Sequence, residues 1–186
     1  MTGAAPSPLS LGAGRIVPAS LDDLLELDSL RRTEQESVGF IPMSKYEEEV
    51  ERRKATVLTM RENGDMVGYL YWTRGFPVAT IQQVVIRQDA RRRERATSLV
   101  DAATQEMSEQ GRAGVTCRCR VDLDAVAFWE ACGFERIRLE DSGRRGPLIR
   151  FYKALSPSLL EPSLWLRGPE FGRLAKQRRG FRVVPA

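Results

Sequence analysis

Three β-rich runs follow one another between residues 55 and 87: "ATVLTMRE", "MVGYLYWTR" and "VATIQQVVIR". The first two flank "NGD", and Asn-Gly between such runs specifies a tight hairpin, because both residues tolerate the positive φ that its turn demands. A chain that commits this much of its middle to neighbouring strands must build on a sheet, with helices covering its faces. The third run passes straight into "RQDARRRERATSLV", residues 87–100, where five arginines and a glutamate stand between a strand and a helix.

Elements on either side complete the order. "RIVPAS" reads as a short strand and "SLDDLLELDSLRRTE" as a helix with Ser20 as N-cap and Asp22 and Asp23 in the first turn, where the helix dipole favours acids. Leu21, Leu24, Leu25 and Leu30 supply its expected apolar stripe. Ser44 opens a second helix, "KYEEEVERRK". After the arginine segment, residues 96–110 form a helix with Leu99, Val100, Ala103 and Met107 on one face and Gly111 at its end. "GVTCRCRV" is a strand, "DLDAVAFWEACGF" a short helix closed by Gly133, and "FERIRLE" and "LIRFYKAL" a last pair of strands joined by "DSGRRGP". The order is β-α-α-β-β-β-α-β-α-β-β. We expect a flexible leader over 1–14, one domain over 15–155, and a Pro/Ser-rich join with a basic tail over 156–186.

Composition removes several chemistries. The 186 residues include no histidine and three cysteines, Cys117, Cys119 and Cys132. Nucleophiles activated by histidine are excluded, common zinc sites lose half their ligand types, and no metal is expected. "TCRCR" sets Cys117 and Cys119 on one strand face, where burial as small apolar residues is expected. No apolar run reaches the ~18 residues of a spanning helix, and the leader lacks the cationic flank of a signal peptide, so no membrane association and a cytoplasmic location are expected. The formal charge of +4 resides in residues 156–186, with six basic residues against two acidic ones. Such a tail suits phosphates or an acidic partner, or simply faces water.

Two passages within this order resemble the GNAT acyltransferase superfamily, over about residues 15 to 155. "VVIRQDARRRERATSLV" is similar to the family's strand, Arg/Gln-x-x-Gly-x-Gly/Ala loop and long helix: Arg91 takes the first position, Glu94 that of the first glycine, and Ala96 that of the permitted alanine. "DLDAVAFWEACGF" resembles the helix Asn-x-x-Ala-x-x-Phe-Tyr-x-x-x-Gly-Phe, with Asp122 in place of asparagine, Ala125, Phe128-Trp129 at the Phe-Tyr step, and Gly133-Phe134. The resemblance implies an α+β (mixed α/β) GNAT fold: a central mixed, mostly antiparallel sheet of six to seven strands flanked by about four helices. It also implies acetyl-CoA (acyl-CoA) as cosubstrate and N-acyl transfer to an amine by direct attack on the thioester.

The physics of the segment agrees with that implication. A helix N-terminus presents unsatisfied amides and partial positive charge, so it attracts a diphosphate, and a tight preceding loop turns further amides toward the anion. By resemblance, Arg91, Arg92, Arg93, Glu94, Arg95, Ala96 and Thr97 would hold the diphosphate, and Val84, Val85 and Ile86 the pantetheine arm. Glu94 departs from the glycine that allows positive φ and close approach. Either the four surrounding guanidiniums compensate, or the segment is a charged solvated loop. Gln82-Gln83 stands where relatives often carry a carboxylate base, and Trp129 where a tyrosine often protonates the thiolate. Asp122 as base, with Tyr69 or Tyr71 as hydroxyl donor, are the catalytic candidates; alternatively Asp122 is an N-cap and the tyrosines pack. "ESVGFIPMSKY" would line the acceptor site, with Phe40, Met43 and Tyr46 as contacts or as loop packing. The alternative function is a GNAT-fold protein that modifies nucleic acid, like phage Mom-type enzymes, or binds it without catalysis. Its motive is the arginine loop, Arg118, Arg120 and the basic tail.

Overall fold

The hairpin forms where Asn63-Gly64 placed it. In the computed structural model, which describes residues 14–34, 38, 40–51, 55–91, 94–141 and 146–156, β2 (Ala55–Glu62) and β3 (Asp65–Thr73) pair antiparallel with Glu62 opposite Asp65. Asn63 and Gly64 take φ of 51° and 94°, both left-handed, which matches the turn to the twist of its strands. β1 (Arg15–Pro18) lies antiparallel to β2, and β4 (Val78–Ile86), β5 (Gly114–Arg120), β6 (Glu135–Asp141) and β7 (Pro147–Ala154) complete a seven-stranded sheet in the order β1-β2-β3-β4-β5-β7-β6. Four α-helices occur among the described residues: α1 (Leu24–Thr33), α2 (Met43–Glu51), α3 (Arg95–Glu109) and α4 (Ala125–Ala131). The mixed, mostly antiparallel sheet with four helices is the expected fold. None of these helices is long and apolar enough to cross a membrane.

The chain divides into two compact units, Met1–Arg74 with Gln82–Ala103, and Gly75–Ile81 with Thr104–Ala186. In the first, α1 and α2 bury Leu24, Leu27, Leu30 and Tyr46 with Val57, Met66, Tyr69, Tyr71 and Val85. The stripe on α1 differs from the one expected: Leu21 and Leu25 are exposed, and Leu27 is buried. Residues 24, 27 and 30 recur every three positions along the inner face, whereas Leu25 is turned about 100° away from Leu24. Ser20 caps a 3-10 turn (Leu21–Asp23) before α1, its amide donating to Asp23 Oδ2 at 2.7 Å. Arg61 then ties this turn to the hairpin, bonding Asp23 at 2.7 Å and Glu26 at 2.6 Å.

Gly68 permits a close approach in the same unit. A Cβ there would stand 2.8 Å from the carbonyl oxygen of Val85 and 2.5 Å from Ile86 Cδ1, so only a residue without one lets β4 and the first turns of α3 settle against β3. Leu99, Val100, Ala103 and Met107 are all fully buried, as their helical spacing predicts.

In the second unit, β5 pairs in parallel with the start of β4, Val78 opposite Gly114 through Thr80 opposite Thr116, and antiparallel with β7. Cys117 and Cys119 are buried opposite Phe151 and Ile149, as strand alternation predicts. α4 packs through Trp129, whose ring meets Phe134 edge-on at 5.0 Å. Gly133, at φ 78°, ends α4, and the amide of Phe134 returns to the Trp129 carbonyl at 3.0 Å, a left-handed stop that glycine favours.

Candidate functional site

β4 leads out of the first unit's core into the segment singled out by its arginines. Val85 and Ile86 are buried and Val84 half-buried. The amide of Arg87 still bonds the Val67 carbonyl at 2.9 Å, so β4 stays attached to β3 up to the loop. A 3-10 turn (Gln88–Ala90) follows, and Arg91 runs extended. Its Nε donates to the Ile86 carbonyl at 3.1 Å, and its guanidinium pairs with Glu34 just beyond α1. Arg92 and Arg93 lie outside the described residues.

Glu94 has a φ of 58°. It therefore occupies the left-handed region for which glycine is ordinarily chosen, in spite of its Cβ. Its carbonyl accepts the first intrahelical bond of α3, from the Ser98 amide at 2.9 Å. The amides of Arg95, Ala96 and Thr97 precede that bond at the mouth of a fifteen-residue helix, where an anion is stabilised by the dipole and by direct donation. The Arg95 side chain turns elsewhere. It is 7% exposed, bonds Glu62 through Nε at 2.5 Å and Nη2 at 2.6 Å, and gives Nη1 to the Ala90 carbonyl at 2.7 Å. This fork on Glu62 raises the pKa of Arg95 and pins the loop and the start of α3 to β2.

Gln83, one strand turn earlier, is the hub of a buried network. The hydroxyls of Tyr46, on α2, and Tyr69, on β3, both donate to its Oε1, the latter at 2.9 Å, while its Nε2 donates to the Val38 carbonyl at 3.1 Å. Burial pushes Tyr46 up to about 12 and raises Tyr69 further, so both phenols are neutral donors at physiological pH. Tyr71 is fully buried, its ring 4.7 Å from that of Tyr46. Of the acceptor-side candidates, Tyr46 is core, Met43 packs against that core from a partly exposed position, and Phe40 is exposed. The Phe40 ring lies 5.2 Å from the guanidinium carbon of Arg31, a buried arginine of α1. Sequence reasoning passed over Arg31, Glu34, Glu62 and the hub role of Gln83. Glu34, Glu62 and Gln83 take their meaning from partners far along the chain, which no local signal marks. Arg31 pairs locally with Asp28 but is buried by the fold.

Asp122 belongs to the second unit. It is not a helix cap: α4 begins at Ala125 and its N-cap position is Asp124. Asp122 instead accepts from Arg120, Nε at 3.0 Å and Nη2 at 2.5 Å, with its own side chain exposed. That hydrogen bond lowers its pKa. The thiols of Cys117 and Cys119 are shifted the other way by burial, Cys119 up to about 11, so neither is a nucleophile near neutral pH. Among the described residues, no group of three or more His, Cys, Asp or Glu side chains is placed to hold a metal. The tail from residue 157 onward lies outside the described residues.

The sequence model described as the acetyltransferase (GNAT) family matches residues 21–134, a span that runs from the turn before α1 to the end of α4. The chain belongs to the GNAT acetyltransferase family. Solved structures agree on the fold of this GNAT chain. The ribosomal-protein-S18-alanine N-acetyltransferase of Escherichia coli is 16% identical with a TM-score of 0.66, over 80% of this chain and 99% of that one. A spermidine N-acetyltransferase mutant from Vibrio cholerae is 14% identical with a TM-score of 0.67, over 78% and 96%. A Salmonella typhimurium protein solved with its cofactor acetyl-CoA is 15% identical with a TM-score of 0.67, over 80% and 98%. No curated protein matches the sequence.

Proposed function

We propose that this GNAT chain transfers an acetyl group from acetyl-CoA to an amine. The observation that carries the reading is the left-handed φ of Glu94, which keeps the loop in a glycine-like path and leaves the amides of Arg95, Ala96 and Thr97 ahead of the first helical bond. In this reading the diphosphate rests on those amides, with Arg91 released from Glu34 to meet it and Arg92 and Arg93 adding charge. Arg95 serves through its backbone, since its side chain is committed to Glu62. The pantetheine arm lies along Val84, Val85 and Ile86, and a backbone amide there polarises the thioester carbonyl. The amine attacks that carbonyl carbon, the carbon–sulfur bond breaks, and coenzyme A leaves as the thiolate and takes up a proton.

Gln83 cannot accept the amine proton. Asp122 and water are the candidate acceptors, and Tyr71 the candidate donor to the thiolate. The test is calorimetry with acetyl-CoA. Micromolar binding in the natural chain, abolished by Ala96→Glu at the helix mouth while the melting temperature is kept, is expected. Absence of binding to the natural chain would sink the proposal.

A further inference from the structure

Arg31 carries a feature that the acyl-transfer reading leaves unused. It is only 3% exposed, on the inward side of α1. Its Nε and Nη2 both reach Asp28 Oδ1, at 3.2 and 2.6 Å, while Nη1 is buried and has no hydrogen-bond partner among the described residues. Asp28 is shared, since its Oδ2 accepts from Arg32 at 2.8 Å. One carboxylate thus serves two guanidiniums. The nearby phenols Tyr46 and Tyr69 feel the charge of Arg31 yet stay neutral themselves, so they do not balance it. A buried donor left unpaired on a cation is destabilising and needs a reason.

The geometry states what would fit. One edge of the guanidinium is taken by Asp28, and the other, through Nη1, remains for a second carboxylate in the planar two-bond pairing that arginine favours. Beside the guanidinium stands the ring of Phe40, its centroid 5.2 Å from the guanidinium carbon and the residue itself 57% exposed. An aromatic ring bound on one side by a cation and open to water on the other can swing aside at little cost. We propose that Arg31 is the recognition group for a carboxylate carried by the acceptor amine, seated under Phe40. Resting on the acetyl-transfer reading, it makes the substrate class an amine that also bears an acid.

The experiment labels the full chain with 15N-arginine and follows the Arg31 Nε–H signal, assigned by its loss in Arg31→Lys, during titration with N-acetylglycine and, separately, with N-acetylglycinamide. The acid is expected to shift that signal with a half-saturating concentration at least tenfold below that of the amide. Equal responses, or no response to the acid, overturn the proposal, and this arm needs neither turnover nor a folded variant at the site beyond the assignment. Acetyl-CoA calorimetry on the same sample separates the two ideas. Cofactor binding without a carboxylate response removes this proposal alone. A carboxylate response without cofactor binding removes the transfer reading and leaves Arg31 as an anion site.

Discussion

Glu94 is the position at which backbone geometry and charge are at odds, and substitution separates the two. A non-glycine residue in the left-handed region pays about 1–2 kcal/mol, and Glu94 sits there at φ 58°. Glu94→Gly removes that strain, while the added freedom of glycine in the unfolded chain takes back about 0.4–1 kcal/mol. The net gain of about 0.5–1 kcal/mol corresponds to a melting temperature higher by about 1–4 °C for a chain of this size. Glu94→Ala keeps a Cβ at the same φ and should melt no higher than the natural chain. Charge acts separately. With an exposed carboxylate about 6 Å from a diphosphate, the repulsion in water is about 0.7 kcal/mol for each of two charges, or roughly tenfold in affinity together. Screening at physiological salt halves the energy and leaves about threefold. Both variants should therefore bind acetyl-CoA about threefold tighter at 0.15 M salt and more so at low salt, but only the glycine variant should gain stability. Melting curves and calorimetry on the pair decide it. If alanine stabilises as much as glycine, the strain argument fails; if neither variant changes affinity at either salt concentration, no diphosphate rests beside residue 94.

Two further outcomes follow from buried polar groups in the first unit. Arg95→Met leaves Glu62 without its guanidinium, side chains only 7% and 19% exposed in the pair, and should lower unfolding free energy by about 2–3 kcal/mol in urea titrations. Tyr46 is raised by burial from an ordinary value of 10.0 to about 12. Its contribution is therefore complete below about pH 10 and is lost as pH rises through 12. Urea midpoints of the natural chain should fall between about pH 10 and 12, and Tyr46→Phe should flatten that slope.

Local rules carried the fold further than the site. Asn63-Gly64, the strand alternation at Cys117 and Cys119, the stripe on α3 and the stop at Gly133 each act through neighbours within a few residues, and each reads directly from the sequence. The α1 stripe differs from the expected one because the five leucines between residues 21 and 30 fit more than one helical face, and only the sheet beneath selects Leu27 over Leu25. Asp122 resembled a cap because aspartate favours that role, yet Asp124 stands closer to the first helical turn and Arg120 was free to take Asp122. Within the arginine loop the sequence showed many positive charges, but not their separate ends. Arg95 turns inward to Glu62 and Arg91 to Glu34, partners 33 and 57 residues away.

These commitments bear on how an amine could lose its proton in this chain. Within Gln82-Gln83, the stretch that the family resemblance sets where a base is often carried, the oxygen of Gln83 already accepts two phenolic hydrogens and its nitrogen holds the Val38 carbonyl. A glutamate there would keep both phenols but lose the donor to Val38, placing a carboxylate against a carbonyl oxygen in a buried site. The glutamine thus answers a packing requirement that a base would violate. In the acetyl-transfer reading proposed above, water or an exposed carboxylate such as Asp122 would take the proton, and pairing with Arg120 lowers the pKa of that carboxylate and keeps it weakly basic. With so weak a base, the fraction of acceptor already deprotonated in solution governs the rate, so activity should track the pKa of the amine rather than that of any side chain. A carboxylate seat at Arg31 would act by orientation instead, which raises the rate without requiring a stronger base.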